Sequence, residues 1–140
     1  MIEQKQILEL INEARRAREF SYSPYSDYMV GAAVLTETDE IYSGCNVENA
    51  AYGPTNCGER TAIFKAVSEG KRKFKAIAIV GGKRGGEGDF ATPCGVCRQV
   101  MMEFCNPEDM QIIVAKNMEE YKIFTLQELL PEGFGAANLI

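Results

Sequence analysis

Histidine is absent from this chain of 140 residues, and so is tryptophan. Without an imidazole there is no Ser-His-Asp triad, no Cys-His pair and no HExxH metal site, so acid–base work falls to carboxylates, thiolates and lysines. Basic residues are in the minority: 15 Lys and Arg against 20 Asp and Glu leave a net charge of −5 and a pI near 4.9. That balance excludes nucleic acid and anionic membrane as main partners, since each selects for a basic face. No run approaches the roughly 20 apolar residues of a membrane span. The start, Met1-Ile2-Glu3-Gln4-Lys5, lacks the basic-then-apolar order of a secretion signal, so a cytoplasmic protein is the expectation. Cysteines number five, an odd count for a disulfide framework, and metal binding outranks disulfides.

What is present suffices for one domain, residues 1–140, with 46% apolar content to build its core. Ile7, Leu10, Ile11, Ala14 and Ala17 recur at helical spacing and predict an amphipathic helix until Ser21-Tyr22-Ser23-Pro24 breaks it. Tyr28 to Leu35 and Glu40 to Val47 read as a β-hairpin across the Thr36-Glu37-Thr38-Asp39 turn. Asn56 is placed to cap a helix from Cys57 to Glu69, with Ile63, Ala66 and Val67 as its apolar stripe and Gly70 as its stop. Lys75 to Val80 predicts a strand and Gly81 to Gly88 a loop. A third helix starts at Cys94, turns Val100, Met101 and Phe104 inward and closes at Asn106-Pro107. Gln111 to Ala115 and Tyr121 to Phe124 read as strands, and Thr125-Leu126-Gln127-Glu128 as the capping box of a short last helix ended by Pro131. The order αββαβαββα implies an α/β fold with a central mixed sheet covered by helices.

Cys57-Gly58-Glu59 and Pro93-Cys94-Gly95-Val96-Cys97 carry the chemistry. Three thiolates leave a zinc ion one open position, as catalytic rather than structural sites do. Cys94 and Cys97, at i and i+3, share a helix face near an N-terminus that favours thiolate, and Cys57 joins them if two helix starts converge. A redox CxxC and a set of merely buried thiols are the competing readings; Cys45 and Cys105 read as packed thiols. Glu59 lies two residues past Cys57, where about 100° per residue turns it away from the cysteine yet keeps it within a turn of the ion. It reaches the water rather than the metal. Arg60 and Arg98 each follow a site residue directly, and the role of orienting a ligand sulfur is assigned to Arg60. Asn46 and Glu48 alternate at the end of the second predicted strand, an amide and a carboxylate suited to sugar hydroxyls. The glycine-rich stretch matches neither GxxxxGK[ST] nor GxGxxG, so a phosphate cradle is poorly supported.

Taken together, Cys57-Gly58-Glu59-Arg60-Thr61-Ala62, Pro93-Cys94-Gly95-Val96-Cys97-Arg98-Gln99, Gly44-Cys45-Asn46-Val47-Glu48-Asn49-Ala50-Ala51-Tyr52 and Leu129-Leu130-Pro131 resemble the small, homotetrameric cytidine deaminases. The resemblance runs from the first helix to about Phe134. It implies a three-layer α-β-α fold and zinc-dependent hydrolytic deamination of free cytidine and deoxycytidine in pyrimidine salvage. It further implies one Zn²⁺ per subunit on Cys57, Cys94 and Cys97, with Glu59 shuttling protons. Asn46 and Glu48 would then hold the ribose, Tyr28 would pack on the base, and Phe134 would enter a neighbouring subunit's site. Tyr28 stands where the family commonly has phenylalanine, and Gly58 where its three-cysteine branch usually has alanine, beside backbone groups that contact the base. A deaminase of another aminated nucleoside or nucleotide, and a non-catalytic zinc-stabilised interaction domain, are the alternatives.

Overall fold

The computed structural model describes residues 1–140 as α1 (Gln4–Arg18), β1 (Tyr28–Thr36), β2 (Ile41–Cys45), α2 (Gly58–Ser68), β3 (Phe74–Lys83), α3 (Gly95–Glu103), β4 (Gln111–Ala115), β5 (Tyr121–Thr125) and α4 (Leu126–Leu129). A 3₁₀ turn at Ala136–Asn138 follows. The strands form one five-stranded mixed sheet in the order β2-β1-β3-β4-β5, in which only the β3–β4 pair is parallel. The expected element order and the α/β class are both observed.

Period-two alternation along the strands separates two cores. Ala32, Val34, Ile77, Ile79, Ile112 and Val114 face α2, α3 and α4 and pack with Ile63, Ala66, Met101 and Leu126. Ala33, Leu35, Ala76, Ala78, Val80, Ile113 and Ala115 face α1 and its Ile7, Leu10, Ile11 and Ala14. One helix on one face and three on the other make the three layers. The α1 face is rich in alanine because the helix lies close, and Gly31 marks the closest approach. A Cβ there would stand 2.0 Å from the Ala14 carbonyl oxygen and 2.5 Å from the Arg18 nitrogen, both backbone atoms. Gly31→Ala is therefore expected to destabilise the fold by about 3 kcal/mol, read as a lowered urea midpoint at unchanged slope.

Two helix ends show how local chemistry sets boundaries. After α2, Gly70 adopts φ +90°, its N–H donates to the Val67 carbonyl and that of Lys71 to the Ala66 carbonyl, a Schellman closure. At α4 the Thr125 N–H donates to Glu128 Oε1 at 2.8 Å, and the Glu128 N–H donates to Thr125 Oγ1 at 3.2 Å, which completes the expected capping box.

The topology also places the site. Strands β2 and β3 both run antiparallel to β1, so they run parallel to each other and end at the same edge of the sheet. Helices α2 and α3 follow those two strands in the chain, and they begin at that edge with Cys57 and Cys94 at their N-cap positions. The first residue of β1, Tyr28, pairs with the last of β3, Lys83, and so lies there too. Ligands of open α/β sheets sit outside the carboxyl ends of strands for this reason.

Several boundaries differ from expectation. Gly81, Gly82 and Lys83 extend β3 rather than opening a loop, because β1 continues opposite them through Val30, Met29 and Tyr28. Strand β2 stops at Cys45, and Val47 makes only isolated bridges to Tyr22 and Asn56. The cap expected from Asn56 is not made: its Nδ2 donates to Thr61 Oγ1 at 3.1 Å instead. Helix α3 ends with Phe104 as its C-cap, before Asn106-Pro107, and Phe104 packs half-buried against the core as expected, edge-on to Phe74 at 6.0 Å.

Candidate active site

The two helix starts bring three sulfurs together. Sγ of Cys57 lies 3.7 Å from Sγ of Cys94, which lies 3.6 Å from Sγ of Cys97. Cys94 and Cys97 share a face as their i, i+3 spacing requires, and the three sulfurs all lie within 4.8 Å of one another. Ligands held about 2.3 Å from one tetrahedral zinc ion stand about 3.8 Å apart, so this spacing fits the ion. The charge around the sulfurs fits as well. Arg60 Nη2 donates to Cys57 Sγ at 3.2 Å, which supports a thiolate, and its buried Nε has no partner. A hydrogen bond from the Cys97 thiol, reinforced by Arg60, holds Cys57 down to about 5, while the same bond pushes Cys97 up. Arg98 does not join them: its Nε donates to the Pro93 carbonyl and its Nη1 to the Leu129 carbonyl, tying α3 to the end of α4. Cys45 and Cys105 are half-buried and outside the cluster, and burial pushes the Cys105 thiol up to about 12.

Glu59, in the first turn of α2, is only 4% exposed. Burial pushes its carboxyl up to about 7, and the charge on Cys57 adds to the rise. It borders a cavity of about 490 Å³ whose other walls include Tyr28, Val30, Asn46, Glu48, Asn56, Cys57, Gly58, Ile79, Phe90, Thr92 and Cys94. That volume lies within the usual range for small-molecule sites, and Glu59, Cys57 and Cys94 share its lining while Cys97 lies buried behind it.

The remaining expected residues have definite places. Asn46 is not on a strand, and most of its amide is already used. Its Oδ1 accepts from the Val30 N–H at 2.9 Å and the Ser21 hydroxyl at 2.5 Å, and its Nδ2 donates to the Tyr28 carbonyl at 2.8 Å. One N–H is left to face the cavity. Glu48 also lies beyond β2 and accepts from the Tyr25 N–H at 2.9 Å, the Ser26 N–H at 3.2 Å and the Ser26 hydroxyl. These bonds hold its carboxylate low and fasten the turn before β1. Gly58 opens α2 against β1: a Cβ there would meet the Val30 carbonyl oxygen at 3.1 Å, a contact that asks for a shift of a few tenths of an ångström. Phe134 is 56% exposed and does not reach this cavity; its carbonyl accepts from Gln99 Nε2 at 2.8 Å. Phe90 and Thr92, which the sequence marks only by their nearness to Pro93-Cys94, also line the cavity.

Sulfur ligands at two helix starts, a buried carboxyl and an open cavity at a sheet's carboxyl edge define a metal-dependent α/β hydrolase. Residues 4–114 match the model for the cytidine and deoxycytidylate deaminase zinc-binding region, and the chain belongs to that family. It is 48% identical over 130 residues to the cytidine deaminase of Sporosarcina psychrophila, covering 93% of this chain and 92% of that protein. Identity to the cytidine deaminase of Halalkalibacterium halodurans is 46%, over 93% and 95% of the two chains. The crystal structure of cytidine deaminase from Burkholderia pseudomallei superposes with a TM-score of 0.79 at 44% identity, covering 90% of this chain and 97% of that one. The three-layer fold expected from the resemblance is that of these structures, and zinc is the metal of the family.

Proposed function

We propose that this chain catalyses hydrolytic deamination of cytidine and deoxycytidine, giving uridine or deoxyuridine and ammonia. The observation that carries the reading is the Glu59 carboxyl, buried beside three cysteine sulfurs in the wall of a nucleoside-sized cavity. Cys57, Cys94 and Cys97 would hold one zinc ion, which would supply Lewis acidity for the attack of water. Glu59 takes a proton from the attacking water as its oxygen bonds to C4 of the base, and passes that proton to N3. The same carboxyl then moves the second proton of the water to the departing amine, so one water is consumed and one ammonia leaves. Burial raises this carboxyl above the range of an ordinary surface glutamate, which makes it a better proton acceptor.

Tyr28 packs on the base, Gly58 keeps the start of α2 close to it, and the free N–H of Asn46 and the Glu48 carboxylate take the ribose hydroxyls. Arg60 orients and charge-balances the Cys57 thiolate. Arg60→Met is expected to weaken zinc binding about 10–100-fold, measured by competition with a chromophoric chelator; unchanged affinity would remove the role. The site is completed in a homotetramer, where Phe134 enters a neighbour's cavity. Exposed Phe64 and Val96 on α2 and α3 support such assembly, and light scattering tests it. Pyrimidine salvage in the cytoplasm is the setting this activity fits. A domain that used zinc only to join two helices gives no reason for a buried carboxyl beside an open cavity. Ammonia release from cytidine, deoxycytidine, CMP, adenosine and guanosine tests the whole reading: turnover of the first two supports it, and turnover of none of the five refutes it.

A further inference from the structure

The strap before Pro93 brings into the cavity one aromatic ring that none of these roles uses. Phe90 is half-buried and lines the cavity with Tyr28, Val30 and Ile79, the apolar part of the wall and the part that suits a flat heterocycle. The strap contains no helix or strand of its own, so other contacts must fix it. The Asp89 N–H donates to the Gly81 carbonyl at 2.7 Å. Two glycines allow the strap to lie flat: a Cβ on Gly81 would stand 2.7 Å from the Ala91 Cβ, and a Cβ on Gly88 would stand 2.5 Å from the Lys116 carbonyl oxygen. The ring itself is held by charge. Lys122 Nζ stands 4.3 Å and Lys116 Nζ 5.1 Å from its centroid, and neither ammonium is in an ion pair. Each ammonium is attracted to the face of the π-system only weakly this near the surface, so the pair favours the observed ring orientation modestly.

We propose that Phe90 is a specificity-determining wall of the nucleoside site, and that Lys116 and Lys122 are positioning residues acting through its ring. The inference rests on the deaminase reading above. Lys122 lies on β5 and Lys116 just beyond β4, while the sulfurs and Glu59 belong to α2 and α3 and their caps, so loosening the ring disturbs substrate binding and leaves the chemical step alone.

The test compares kcat and KM for cytidine across variants of the zinc-loaded protein, with metal content and melting temperature as controls. Lys116→Met with Lys122→Met is expected to raise KM about 5–10-fold with kcat within about twofold. The paired Lys→Arg variant, whose guanidinium also stacks on an aromatic face, should restore KM. Phe90→Leu should raise KM to a similar extent, and adding the two Lys→Met changes to it should do nothing further, since the cations then have no ring to hold. An unchanged KM in the lysine variant, a rise that arginine fails to rescue, or lysine and Phe90 effects that multiply would each overturn the assignment. Calorimetric titration with cytidine reads the same wall without turnover. An inactive wild-type protein that still binds cytidine more tightly than the lysine variant would sink the chemistry and keep the wall; equal binding by the two would sink the wall.

Discussion

Glu59→Gln lowers kcat for cytidine by at least about 100-fold, the usual scale for a positioned acid–base group, while one zinc per chain stays bound. Glutamine keeps the shape of the side chain in a place that is 4% exposed, so little packing is lost. What disappears is the proton site. The carboxyl is raised to about 7 chiefly by burial, and the chain has no histidine to take over the task. The result that distinguishes chemistry from binding is a KM that changes far less than kcat, since the lost interaction belongs to the transition state. Stopped-assay product analysis together with metal quantification reads both; near-normal turnover in this variant would sink the assigned role.

Removal of the metal is the second large effect. A ligand present at about a thousand times its Kd stabilises the folded state by about 4 kcal/mol, and a domain of this size shifts its melting temperature by several degrees per kcal/mol. Chelation is thus expected to abolish turnover and lower the melting temperature by about 10–20 °C. The reason is specific to this site: three sulfurs stand within 4.8 Å of one another at the starts of two helices, and without a cation only weak sulfur contacts join those two helix starts. Restoring zinc should reverse both losses in the native chain. Cys97→Ala should show the same losses but no recovery at that zinc concentration, because a buried ligand is missing. A melting temperature indifferent to chelator would show that the three cysteines do not hold a metal that matters to the fold.

Much of the site was legible because its signals are local. The i, i+3 spacing of Cys94 and Cys97 needs only a helix to bring the sulfurs together, and the observed 3.6 Å separation follows from it. The capping box at Thr125 and the glycine stop at Gly70 are likewise contained within a few residues. The end of β3 was not legible. Glycine composition signals a loop, yet Gly81 and Gly82 are held in a strand by pairing with Val30 and Met29, some fifty residues earlier in the chain. Asn46 shows the same limit: its residue type suits a sugar hydroxyl, but most of its amide pins Tyr28 and Val30 in place. Phe90 is marked in the sequence only by its place shortly before Pro93-Cys94, since the two lysines over its ring come from β5 and from just beyond β4, outside any local window.

The amino-acid sequence by itself determined the chemistry open to this protein: no imidazole, three thiol donors in two clusters, and one glutamate two residues from one of those thiols. Only the tertiary structure decided that the clusters meet. Cys57 and Cys94 are 37 residues apart, and they converge because β2 and β3 each pair antiparallel with the strand between them and so deliver both helix starts to one edge of the sheet. Periodicity along a chain reports which face of an element is buried, whereas strand order is set by long-range pairing whose partners no local window contains.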